Sequence, residues 1–155
     1  MPKLDLDAIP RTNATGYPPP FDEDVQGRWY RRLAPAAGFM KLGASHVQLD
    51  PGAFSSQRHW HEGQDELVVM LQGEAVLIED EGEVAVGPGD ILTFAAGVRN
   101  GHRLHNRSDK PCVYLAISGG ARDEDRGEYP DIDMVFTLDG YSRKDGTPYP
   151  TERVP

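Results

Sequence analysis

The chain has 155 residues, enough for one domain with a real core and too few for two full β-barrels in tandem. Its 25 acidic against 16 basic residues give a net charge of -9, which argues against binding a phosphate backbone and so against nucleic acid as a partner. The first residues lack the basic and apolar pattern of a secretory leader, and no stretch nears the ~20 apolar residues of a membrane helix, so a cytoplasmic protein without a membrane partner is predicted.

Residues 1–40 read as an N-terminal arm that packs on a barrel or on a partner subunit. Its first part is rich in Pro, Asp and Thr, ends in Pro18-Pro19-Pro20 and has no apolar period. The second part carries Arg28, Trp29, Tyr30, Arg31 and Arg32, a short element suited to covering a barrel opening. From 41 to 119, short β-runs alternate with turn chemistry. The runs are Ser45 to Leu49, Glu66 to Leu71, Glu74 to Asp80, Glu83 to Val86, Ile91 to Phe94 and Cys112 to Ser118. Asp50-Pro51-Gly52 and Gly87-Pro88-Gly89-Asp90 turn the chain, because Pro presets φ and Gly accepts positive φ. No long amphipathic helix interrupts the series, so the class is all-β. Residues 120–155 form a polar and aromatic C-terminal extension, ordered only where it packs on something.

Chemistry concentrates in the histidines. His59 and His61 are two apart on a predicted strand, so they project to the same side about 6 to 7 Å from each other. Glu66 follows at the start of an apolar run, and two imidazoles with one carboxylate make a divalent-metal face with open positions. A fourth ligand comes from His102 or His105; the remaining histidine, His46, reads as structural. Gln57 shares the parity of His59 and is expected to line the pocket, with Arg58 and Trp60 turned away. Arg99, Arg103 and Arg107 flank the second histidine cluster and could grip a phosphate or carboxylate. The lone Cys112 cannot make an internal disulfide and reads as a small buried hydrophobe. Asn13 and Asn106 match the glycosylation acceptor pattern, which carries no weight without a secretory leader.

These residues resemble two motifs of the cupin superfamily. Gly52, His59, His61, Glu66 and Gly73 follow the first motif, with one extra residue before His59. Gly89, Gly97, His102 and Asn106 follow the second, with Ala95 in place of a proline and two residues inserted before the histidine. His102 keeps the motif's distance to Asn106 and is preferred over His105 as the fourth ligand. The later Tyr129-Pro130-Asp131-Ile132-Asp133 and Lys144 to Tyr149 resemble a subgroup of single-domain cupins, some of whose members are labelled sugar-phosphate isomerases. The resemblance implies a jelly-roll β-barrel and a divalent ion (Zn, Fe, Mn or Ni) held by His59, His61, Glu66 and His102. It also implies a homodimer.

The expected function is therefore a metal-dependent, isomerase-like enzyme acting on a small polar or anionic metabolite. A bound ion would chelate adjacent oxygens and act as a Lewis acid. The alternatives are an Fe(II) dioxygenase and a non-catalytic sensing module for a small-molecule ligand. The sequence names no general base; Tyr30, Gln57, His105 and Tyr114 are the nearby candidates.

Overall fold

A computed structural model describes residues 3–150, with every side chain except that of Arg122. In chain order the strands are β1 (Arg28–Arg32), β2 (Leu42–Leu49), β3 (Trp60–His61), β4 (Gln64–Gln72), β5 (Ala75–Glu79) and β6 (Gly82–Val86). There follow β7 (Ile91–Phe94), β8 (Arg103–His105), β9 (Cys112–Gly120), β10 (Gly127–Tyr129), β11 (Met134–Thr137) and β12 (Gly140–Ser142). A single turn of helix, α1 (Leu33–Ala36), links β1 to β2. No helix among the described residues is long and apolar enough to cross a membrane.

The first layer is an antiparallel sheet in the order β1-β2-β9-β4-β7. Register fixes which side chains face inward. Val47 lies opposite Tyr114 and Tyr114 opposite Met70, and all three are buried. Stepping by two along the strands keeps the same face. Ser45, Ala116 and Val68 come next, then Gly43, Ser118 and Glu66. Glu66 is thereby carried inside on the same face of β4 as the apolar Val68 and Met70.

The second layer is built from two smaller sheets, β6-β5-β8 and β12-β11-β10-β3. Isolated bridges between His59 and His102 and between Phe54 and His105 join them. At the first, His102 N–H donates to the His59 carbonyl at 2.9 Å and His59 N–H donates to that of His102 at 3.3 Å. The layers close over a core of Val47, Leu49, Met70, Cys112 and Tyr114 against Ala75, Leu77, Val86 and Leu104. Each large aliphatic side chain buried there contributes about 1.5–3 kcal/mol. This is the expected all-β, two-layer jelly roll.

Gly73 ends β4 with φ +70°, and a Cβ there would lie 2.6 Å from the Pro111 carbonyl oxygen, so glycine is required. A second core unites the chain's two ends: Tyr17 and Val25 pack with Tyr129 and Met134, flanked by Phe21, Phe136 and Tyr141. The C-terminal extension thus packs on the N-terminal segment, and β10 pairs with β3 beside the histidines. The inward alternation of the first layer also extends to β1, where Arg28, Tyr30 and Arg32 stand opposite Leu49, Val47 and Ser45.

Candidate metal centre

His59 and His61 flank Trp60, and their rings stand edge to face with centroids 5.0 Å apart. Both outer nitrogens are tied down. His59 Nδ1 donates to the Gln57 carbonyl at 2.9 Å, and His61 Nδ1 donates to Asp125 Oδ2 at 2.7 Å. Carbonyls and carboxylates only accept, so each Nδ1 carries the ring proton and each Nε2 turns a lone pair inward. Asp125 is buried and is itself fixed by the Gly63 N–H at 2.9 Å and the Gln64 amide at 2.7 Å.

Glu66 Oε2 lies 3.6 Å from His61 Nε2 and 4.0 Å from His59 Nε2. One donor atom from each of His59, His61 and Glu66 falls within 4.8 Å of the others. His102 Nε2 is 2.9 Å from the same Glu66 oxygen, and its ring stacks on Phe94 with centroids 3.5 Å apart. His102 Nδ1 is buried and has no hydrogen-bond partner. Burial alone would raise the Glu66 carboxyl, but the His102 hydrogen bond and the neighbouring His59 and His61 outweigh it and hold Glu66 at about 2. Burial pushes the His59 imidazole down to about 4, against the pull of Glu66. At neutral pH the cluster therefore offers an ionised carboxylate and a neutral imidazole, the protonation state in which such groups ligate a metal. Two inward Nε2 lone pairs and a carboxylate suit a borderline divalent ion, so the residues present fit one.

The cluster opens into a cavity of about 640 Å³. Tyr129 stacks on His59 at 5.6 Å between centroids and contacts Tyr17 and Tyr141, and all three tyrosines line the cavity. Burial raises each of these hydroxyls, that of Tyr17 to about 12. They are neutral hydrogen-bonding groups, not bases, at physiological pH. Tyr30 and Tyr114 also line the cavity, while Glu66 is its only carboxylate among the described residues.

The other residues singled out in the sequence are placed differently. Gln57 is buried, but its side-chain amide donates to the Phe21 carbonyl and to Asp24, anchoring the N-terminal segment while its own carbonyl holds His59. The parity expected to bring Gln57 to the pocket fails because residues 54–59 are not a regular strand. Arg58 does turn away, to Asp80 and Asp131. Arg99 lies over the Trp60 ring, and Arg107 pairs with Glu83. Arg103 borders the cavity, yet its guanidinium packs 4.1 Å from the Phe54 ring centroid. In β8 it alternates with the buried Leu104, so it shares the outer face with His105. His105 stacks on Phe54 and accepts from Arg107, away from the cluster.

Asp125, the three tyrosines and Arg28 are not among the site residues named from the sequence, where Arg28 appears only in a covering element and Tyr129 only in a motif. Asp125 sits in an acidic run and meets His61 only through the pairing of β10 with β3.

Residues 45–118 match the family model described as Cupin domain. The chain is 39% identical to a sugar phosphate isomerase of the cupin superfamily from Silicibacter pomeroyi, with 96% of each chain covered and a TM-score of 0.90. It is 25% identical to a candidate sugar phosphate isomerase from Acidithiobacillus ferrooxidans, with 74% of each chain covered and a TM-score of 0.68. A polyketide cyclase from Streptomyces resistomycificus is 17% identical, covers 77% of this chain and 79% of its own, and has a TM-score of 0.62, a likeness of fold alone. No curated protein matches the sequence. With the paired motifs, the two-layer barrel and the coverage of the Silicibacter protein in agreement, the chain belongs to the cupin superfamily.

Proposed function

We propose that the protein binds a divalent metal ion through His59, His61 and Glu66, with His102 beside Glu66, and acts as an isomerase-like enzyme on a small polar or anionic metabolite. The observation that carries this reading is the pinning of both outer imidazole nitrogens, which turns two Nε2 lone pairs toward one carboxylate oxygen. The likeness to the Silicibacter sugar phosphate isomerase supports the substrate class. A bound ion supplies a Lewis-acidic point that polarises a substrate oxygen. The chain's own residues do the rest. Asp125 and the Gln57 carbonyl orient the ligating rings, the tyrosine hydroxyls offer hydrogen bonds to a polar substrate, and the two layers wall the cavity.

The scarcity of cavity carboxylates favours a second reading, in which the same site binds its ligand without turnover. The two separate in heavy water. Metal-loaded protein incubated with aldose and ketose phosphates in D2O will place deuterium next to the substrate carbonyl if it isomerises by proton transfer. Binding of these compounds without label, across the panel, would leave the binding module as the correct account.

A further inference from the structure

The cavity holds a cation that the metal centre does not use. Arg28 stands opposite Leu49, which is fully buried, so β1 aims its side chain inward as it does that of Tyr30. Arg58 pairs with Asp80 and Asp131, Arg107 with Glu83, and Arg126 with Glu62, while Arg99 and Arg103 have no such carboxylate among the described residues. Arg28 has no carboxylate within 4.0 Å among the described residues, in a chain with 25 acids to 16 bases. Its guanidinium sits over the Tyr30 ring at 5.5 Å from the centroid, and its one side-chain hydrogen bond among the described residues is from Nη1 to the Ser55 carbonyl at 2.9 Å. Its Nε is buried without a partner.

A guanidinium stays charged inside a protein, and leaving its donors desolvated and unmade is costly. The free edge is the one formed by Nε and Nη2, the fork that grips two oxygens of a carboxylate or phosphate side by side. Tyr17, Tyr114 and Tyr141 line the same cavity and feel the Arg28 charge, which offsets part of the effect of burial on their hydroxyls. Arg32, four residues on along β1 and on the same face, is exposed where Ala34 and Pro35 of α1 meet the cavity, so positive charge runs from the mouth inward.

We propose that Arg28 is the anchor for the anionic terminus, phosphate or carboxylate, of the ligand whose other end meets the histidine and Glu66 cluster. The assignment rests on the functional reading above for that other end, but not for the anion site itself. Of the group anticipated from the sequence, Arg99 lies over Trp60 and Arg107 pairs with Glu83, while Arg103, whose Nε is likewise buried without a partner, borders the same cavity from β8.

The test uses the full chain freed of metal by chelation, so that it does not depend on the metal reading, which metal content checks separately. Inorganic phosphate and malonate are titrated by calorimetry. Wild type should bind at least one of them saturably, and the tighter of the two identifies the terminus as phosphate or carboxylate. Arg28→Gln should weaken that binding about ten- to hundredfold, as expected for lost charge-assisted hydrogen bonds, while Arg99→Ala leaves it unchanged. In wild type, the Arg28 Nε–H resonance should shift on anion addition, a readout that stands even if Arg28→Gln does not fold. Saturable binding untouched by Arg28→Gln, an unmoved Arg28 resonance, or no saturable binding of either anion would each overturn the proposal.

Discussion

Replacing Asp125 by Asn should cost the protein metal affinity without removing any ligand. The aspartate accepts from His61 Nδ1 at 2.7 Å, from the Gly63 N–H at 2.9 Å and from the Gln64 amide at 2.7 Å. Asn keeps the shape and can still accept from Gly63 through its oxygen. Its NH2 group then faces His61 Nδ1, which must become an acceptor, moving the ring proton to Nε2 where a ligand needs a lone pair. Loss of such an orienting partner typically weakens metal binding 10- to 100-fold, about 1.4–2.7 kcal/mol. Folding stability falls too, by about 1.5–3 kcal/mol for each charged hydrogen bond lost. Affinity is therefore measured by competition with a chelating dye well below the melting midpoint, with Zn²⁺ and Mn²⁺ in separate runs. An Asp125→Asn protein that is folded and binds both ions within twofold of wild type would refute the orienting role.

Three further outcomes follow from the packing and the ion pairs. Gly73→Ala forces an L residue to φ +70° with its Cβ 2.6 Å from the Pro111 oxygen, so chemical denaturation should show a loss of at least about 1–2 kcal/mol. Met134→Ala empties a fully buried position in the core that joins the two ends of the chain and should cost about 2–5 kcal/mol, read as a lower melting midpoint. The Arg58 hydrogen bond holds the Asp131 carboxyl below its usual 3.8, so the pair's contribution is present above pH 3.8 and fades as pH falls through the lower folded value. Asp131 is half exposed, which keeps that contribution under about 1 kcal/mol; Asp131→Asn should flatten this part of the acid stability profile, and an unchanged profile would count against the pair.

The barrel was legible because its strands bury alternate residues, a pattern that a sequence displays directly. Ile91–Phe94 was read with its observed limits, and the other central runs differ from the observed strands by a few residues at their ends. β10, β11 and β12 were read only as a polar and aromatic extension, because runs of three or four residues are too short to show a period of two. His59, His61 and Glu66 were visible because the whole cluster spans eight residues of chain. Asp125 and the tyrosines were not, since their proximity depends on the ends of the chain meeting over β3. Arg28 carried a usable signal: Arg28, Tyr30 and Arg32 alternate with Trp29 and Arg31, and reading β1 as a strand would have put the first three on one face.

Metal stoichiometry decides whether His59, His61 and Glu66 form a metal site. Purified protein is stripped with chelator, reloaded anaerobically with Mn²⁺, Fe²⁺, Ni²⁺ or Zn²⁺, passed through a desalting column and measured by elemental analysis. Close to one ion per chain is expected for at least one metal, abolished in a folded His61→Ala, Glu66→Gln double variant. Wild-type protein that retains none of the four, or a double variant that retains as much as wild type, would contradict it.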